Sequence, residues 1–223
     1  MEKPTGSSSK KDRRKPQQSR SHTTVDSILQ AAEELFVAKG FHNTTSEDIV
    51  RRAGIGIGSL YDYFPNKTSI GLALLENVSI SIAMDSKRYF MEYGMEPLEV
   101  SLPKVIQQIF AGYKRHKNVL IYLVSEVPEL RAQAELYSVD KLMHRASLIY
   151  LQLYEDYFPD GSLERTHAFL HLMFSASIKQ YLAEPGPLLS EQNLLDELAE
   201  TILSYIIRHR DTYHSTPAKN NAR

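Results

Sequence analysis

Apolar residues recur along this chain at spacings of three and four, the period of a helix face buried on one side. From Thr23 or Thr24, the positions Val25, Ile28, Leu29, Ala32, Leu35 and Phe36 predict a first helix that Gly40 ends after Lys39. Phe41 is expected to pack back on it. Asn43-Thr44-Thr45 opens a short second helix, 46–53, with Ile49, Val50 and Ala53 on its apolar face. Thr45 with Asp48, or Thr44 with Glu47, has the spacing of a capping box. A turn containing Gly54 and Gly56 leads to another short pattern, 57–64, with Leu60 and Phe64 four residues apart. Pro65 ends it, because a residue before proline avoids the α region.

The remaining pattern predicts longer helices. Asn66 caps one at 67–93, with the stripe Leu72, Leu75, Val78, Ile82 and Tyr89. Others follow at 98–116, at 118–126 and at 130–157, the last through Leu136, Val139, Leu142, Met143, Ala146, Ile149, Tyr150 and Leu153. A Pro159-Asp160-Gly161 turn, with Ser162 as cap, precedes two strongly apolar helices at 163–183 and 190–209. There is no alternating strand pattern, no fixed-period repeat and no long heptad run. The expectation is an all-α chain of about nine helices. An N-terminal three-helix helix-turn-helix domain (21–68, motif 45–64) precedes a C-terminal helical domain (69–210). They are flanked by a disordered basic arm (1–20) and a flexible tail (211–223).

Two helices as short as 46–53 and 57–64 cannot bury a core alone. They need the 23–39 helix as a platform, which leaves the second of them free to project. This is the layout of a helix-turn-helix, whose second helix enters the DNA major groove. Charge supports a polyanion partner at one end. The net charge is −1, yet the first twenty residues hold seven basic and two acidic side chains. A solvated tail has the same composition. With 42% hydrophobic residues there is material for a sizeable core. There is no cysteine, hence no disulfide framework and no thiolate nucleophile or metal ligand. That fits a reducing, cytoplasmic setting. No apolar run approaches the ~20 residues of a membrane span.

Enzyme readings find little. Gly54-Ile55-Gly56-Ile57-Gly58 is not G-x-G-x-x-G, follows no strand and lacks a following G-K-[ST]. No Ser-His-Asp or paired-carboxylate arrangement stands out. His167 and His171 are four apart on one predicted helix, a spacing that can clasp a metal. With no Glu or Cys to complete a pattern, they read as core or interface histidines, and neither metal nor cofactor is expected. In the helix-turn-helix the chemistry is clearer. Ile57 suits a thymine methyl, and Ser59 a base edge or phosphate. Gly58 lets backbone approach DNA. Tyr61 and Tyr63 present hydroxyls opposite Leu60 and Phe64, although Tyr61 also suits a core. Lys67, at the start of the next helix, suits a phosphate, as does the Thr45 hydroxyl.

The segments ILQAAEELFVAKGF and NTTSEDIVRRAGIGIGSLYDYFPNK carry a resemblance over nearly fifty contiguous residues. Residues 23–70 resemble the DNA-binding domain of the TetR family of bacterial transcriptional regulators. The resemblance implies phosphate contacts from Thr45, Tyr61, Tyr63 and Lys67, and base or groove contacts from Ile57, Gly58 and Ser59. Two positions depart from the commonest pattern: Gly56 stands where Ser or Thr often caps the reading helix, and Tyr63 where His is frequent. With Gly56, Ile57 and Gly58 at the tip, backbone contacts, phosphate clamps and DNA shape are expected to carry much of the specificity.

The resemblance further implies a non-enzymatic, ligand-responsive dimeric repressor of a palindromic operator. The dimer is expected through 163–183 and 190–209, which are apolar over more than one stripe, although burial within one chain would also explain them. The middle helices, 67–157, take the position of the effector-binding part. Met84, Phe110, Tyr113, Tyr122, Met143 and Tyr150 favour an apolar or aromatic small molecule there. The alternative is an effector-independent DNA-binding protein that acts mainly through protein partners.

Overall fold

A computed structural model describes residues 15–134, 138–158 and 161–215. Among these there are ten α-helical segments and no strand. The chain divides into two compact units, Met1–Leu74 and Leu75–Arg223, with the boundary inside one helix.

The first unit contains α1 (Lys15–Lys39), α2 (Ser46–Ala53), α3 (Ile57–Tyr63) and the opening turns of α4 (Lys67–Tyr93). Its core is Ile28, Leu29, Ala32 and Phe36 of α1, Phe41, Ile49 of α2, Leu60 of α3, then Phe64, Ile70 and Leu74. Ile49 and Leu60 are fully buried, each favouring the fold by roughly 1.5–3 kcal/mol over an exposed side chain. Gly40 ends α1 with φ +82°, a left-handed conformation open to glycine. α1 begins at Lys15 rather than near Thr23, so residues 15–20 of the expected disordered arm are helical. Pro16 lies in the first turn, where its missing N–H costs nothing, and no breaker follows before Gly40. Residues 1–14 lie outside the described residues.

The second unit contains the rest of α4, then α5 (Leu98–Arg115), a π-helical stretch (Asn118–Leu123) that runs into α6 (Val124–Glu126), and α7 (Pro128–Ala134). α8 (Val139–Gln152), a 3-10 turn (Glu155–Tyr157), α9 (Leu163–Ala183) and α10 (Glu191–Ser215) complete it. α5 is the centre of this unit, with Leu98, Leu102, Val105, Ile106, Ile109, Phe110 and Tyr113 all buried. It packs on α10 and α9, and α8 packs on α9. The Tyr150 ring stacks on Phe90 at 4.8 Å, and its hydroxyl lies 2.5 Å from Ser101 Oγ.

Four expectations are corrected. The 130–157 helix is not continuous. α8 starts afresh where extended Ser138 caps it by accepting from Lys141 N, and Leu136 lies outside the described residues. At its other end the chain tightens into the 3-10 turn, where the Tyr154 and Tyr157 hydroxyls donate to the Glu96 carbonyl and the Glu99 carboxylate. The buried face of α4 is Leu74, Leu75, Val78, Ile82 and Phe90, not Leu72 and Tyr89. Ser162 stands before α9 without a side-chain hydrogen bond to it. α10 runs on through Asp211 to Ser215, since nothing before Pro217 breaks it; residues 216–223 lie outside the described residues.

Candidate nucleic-acid interface

Thr45, extended at φ −101° and ψ 161°, caps α2 in the Thr45–Asp48 register of the two open to the sequence. Its Oγ1 accepts from Asp48 N at 3.1 Å, while Asp48 Oδ2 accepts from Thr45 N at 3.0 Å and from Thr45 Oγ1 at 2.9 Å. Thr44 is buried and donates to the Gly40 carbonyl. Lys39 Nζ donates to Asp48 Oδ2 at 2.5 Å and Arg51 to Oδ1 at 2.8 Å. The Lys39 ammonium and then the two Thr45 donors hold the Asp48 carboxyl far below the usual carboxylate range. Gly54, at φ +70°, turns the chain out of α2 while Ile55 N bonds back to the Val50 carbonyl.

α3 buries only Leu60, with Phe64 closing its end. Everything the sequence nominated on it is outward: Ile57 is 41% exposed, Tyr61 51% and Tyr63 39%, and Gly58 and Ser59 are exposed too. Tyr61 is therefore not a core residue. Gly56 caps α3 with no side chain, so no side-chain acceptor covers the amides of its first turn. A Cβ built on Gly56 or Gly58 meets no heavy atom within 4 Å. Among the described residues nothing demands glycine there.

Lys67 has a second occupation that sequence reasoning missed. Its Nζ donates to the carbonyls of Phe41 (2.6 Å) and Thr44 (2.7 Å) and lies 4.4 Å from the Phe41 ring centre. It is a strut between the start of α4 and the α1–α2 connection. Lys39, Arg51 and Arg52 are also committed, Arg52 Nε donating to Glu34 at 2.6 Å. The reading edge itself thus carries hydroxyls and backbone, not unpaired cations.

Of the six residues suggested for an effector pocket, Phe110, Tyr113 and Met143 are core, while Met84 and Tyr122 are largely exposed. Tyr150 lines a small apolar pocket of about 70 Å³ with Phe90, Leu102, Ile106, Leu170, Phe174 and Ile202. On its other side an open apolar groove of about 480 Å³ runs between α4 and α8 along Met84, Met91, Leu142, Ile149 and Leu153.

A short exposed helix, braced by a capped partner and a longer platform, is the layout of a helix-turn-helix. The family model for the bacterial regulatory proteins of the tetR family matches residues 28–74. The match covers the helix-turn-helix segment, which is similar to the DNA-binding part of that family. The chain is similar to the uncharacterized HTH-type transcriptional regulator YvdT of Bacillus subtilis, 31% identical over 100 residues; the match spans 45% of this chain and 50% of YvdT. In fold it resembles a putative TetR-family transcriptional regulator from Mesorhizobium loti (TM-score 0.67, 16% identity, 83% of this chain and 98% of the other). It also resembles Thermus thermophilus FadR, a TetR-family transcriptional repressor in complex with lauroyl-CoA (TM-score 0.53, 20% identity, 89% and 98%). Among the described residues no helix is long and apolar enough to cross a membrane.

Proposed function

We propose that this chain is a cytoplasmic, dimeric repressor that occupies a palindromic DNA site and leaves it on binding an apolar small molecule. The observation that carries the DNA-binding half is the outward edge of α3, where Ile57, Gly58, Ser59, Tyr61 and Tyr63 are all exposed while Leu60 holds the helix down. Ile57 and Ser59 face base edges, and the backbone at Gly58 approaches the groove floor. The hydroxyls of Thr45, Tyr61 and Tyr63 and the Lys67 ammonium clamp phosphates on either side. For Thr45 and Lys67 this means sharing donors that also serve the fold. Two such heads about 34–36 Å apart read the two half-sites.

For the dimer, exposed apolar residues on α9 support a surface there. α10 buries Leu194, Leu195, Leu198, Ile202 and Ile206 within its own chain. What stays outward is Phe169 (51% exposed) and Leu172 (68%) on α9, with Tyr205 of α10 stacked on Phe169 at 5.3 Å. The effector reading is supported by the apolar linings of the α4–α8 groove and the neighbouring cavity, and by the acyl-CoA bound to the FadR neighbour in fold.

Selection of duplexes from a randomised pool, followed by fluorescence anisotropy, tests the DNA half; a palindrome bound as two chains per duplex is expected. No enrichment of any sequence would overturn it. Thermal shift against fatty acids, acyl-CoA thioesters and aromatic acids tests the effector half. A raised melting point with loss of DNA binding supports it. DNA binding unchanged by any compound that binds leaves the effector-independent reading.

A further inference from the structure

The sequence paired His167 with His171 and found no third ligand. The fold supplies one. His144 of α8 faces both α9 histidines, with ring centres 4.5 Å from His167 and 5.2 Å from His171, and the α9 pair itself 5.7 Å apart. One nitrogen from each of the three rings lies within 4.8 Å of the other two. We propose that His144, His167 and His171 form a binding site for one divalent transition-metal ion of the zinc class.

The hydrogen bonds around the cluster say which nitrogens are available. Ser147 Oγ donates its single proton to the Met143 carbonyl at 2.7 Å. With that proton on the carbonyl, Oγ, 2.8 Å from His167 Nε2, accepts from the ring. This assignment puts the His167 proton on Nε2 and leaves a bare lone pair on Nδ1. That Nδ1 is buried with no hydrogen-bond partner, in a residue only 2% exposed. His171 repeats the arrangement. Its Nε2 is buried and unpartnered, so its bond to the Asp140 backbone falls to Nδ1. Two imidazoles are each held by one nitrogen and offer the other as an unsatisfied lone pair beside a third ring. Metal-binding histidines are oriented this way, with the remote N–H given to a carbonyl or other acceptor. An unsatisfied buried acceptor costs roughly 1–3 kcal/mol; a cation turns the same lone pairs into ligands.

Protonation agrees. Burial first, then the neighbouring His144 and His171, hold His167 down to about 4, and burial also lowers His171 although the Asp140 carboxylate opposes it. Neutral imidazoles bind metal at pH 7 without releasing protons. Three nitrogen donors suit Zn²⁺, Co²⁺, Ni²⁺ or Cu²⁺, whereas Mg²⁺ and Ca²⁺ require oxygen. Ligand nitrogens about 3.3 Å apart, as Zn–N bonds of 2.0–2.1 Å in a tetrahedron require, are reached from the present spacing by ring rotation and small shifts of α8 against α9. Three ligands leave a further coordination position for water or an oxygen donor. His167 and His171 also line the 70 Å³ pocket, the space such a donor would enter.

The proposal does not rest on the repressor reading. The full chain, stripped with EDTA, is titrated with Zn²⁺ by calorimetry and with Co²⁺ by visible absorption. One ion per chain at micromolar Kd or tighter, and a tetrahedral Co²⁺ band, are expected, with no binding of Mg²⁺. H144Q and H171Q should each weaken Zn²⁺ at least 100-fold, S147A about 10-fold through the lost orientation of His167, and H116Q not at all. Circular dichroism checks the fold of each variant; if an α9 variant does not fold, H144Q and S147A decide. Zn²⁺ binding weaker than about 100 μM in the wild type, or a Kd that H144Q and S147A leave unchanged, overturns the site. Anisotropy with the selected duplex is run on the metal-free protein, so a failed metal site and a failed DNA reading are told apart.

Discussion

Gly58 separates the needs of the fold from those of DNA. In this chain Gly58 does not have a positive φ, and a Cβ there meets no heavy atom within 4 Å. It occupies the second position of α3. Replacing glycine by alanine in a helix interior favours the helix by about 0.8–1 kcal/mol; at a first turn roughly half of that is expected. For a unit of this size, ~0.5 kcal/mol raises Tm by about 2–4 °C. Gly58→Ala should therefore be folded and slightly more stable. If α3 meets DNA by its backbone at this point, the added methyl takes the place of that approach. A tenfold loss of affinity, about 1.4 kcal/mol, is the least expected. The assay is thermal melting together with anisotropy on the duplex selected by the wild type, over a range of salt. A stable variant that binds within twofold of wild type at the same salt slope would refute the close backbone approach, and with it the idea that Gly56-Ile57-Gly58 reads shape more than hydrogen bonds.

Thr45→Ala should cost about 1 kcal/mol of stability through the lost cap and also weaken DNA binding, whereas Thr45→Ser should retain both; a Thr45→Ala variant with unaltered Tm would contradict the capping box. The depressed Asp48 carboxyl makes an acid prediction. Below its ordinary value of 3.8 the unfolded chain takes up a proton that the folded chain resists, so Asp48's contribution is present above that pH and is lost as pH falls below it. Melting curves of wild type and Asp48→Asn should thus draw together as pH falls below 3.8, and parallel curves would dispose of the Lys39–Asp48–Thr45 network as a stabilising unit. Gly94→Ala should destabilise the second unit by about 1–3 kcal/mol as an overpacked site, because its Cβ would stand 2.5 Å from the Phe90 carbonyl oxygen and 2.6 Å from Leu153 Cδ1; a Tm equal to wild type in a denaturation series would show that the α4 terminus relaxes freely.

Local chemistry made much of the first unit legible. A capping box, a glycine turn and a proline stop act within a few residues, so Ser46–Ala53, Ile57–Tyr63 and Lys67–Tyr93 appear within a residue of where the sequence places them. The outward set on α3 was legible for the same reason: a helix with only Leu60 and Phe64 as apolar anchors has one inner face. Where two faces are apolar, periodicity does not choose between them. On α4 the burial passes to Leu74 and Phe90, and on α8 Ile149 and Leu153 are left outside while Met143 and Tyr150 go in.

The sequence by itself determined what adjacent residues settle among themselves: the helical class, the Thr45 cap of α2, the glycine turn and which side chains of α3 stay exposed. Only the tertiary structure decided what meets across the chain. Lys67 is drawn onto carbonyls 23 and 26 residues earlier, because a half-buried ammonium needs acceptors wherever packing offers them. His144 comes to His167 and His171 because α8 packs on α9, and no spacing in the sequence records that encounter. The short reading edge is thus set by local rules, while the strut beneath it and the three-histidine cluster in the second unit are products of packing.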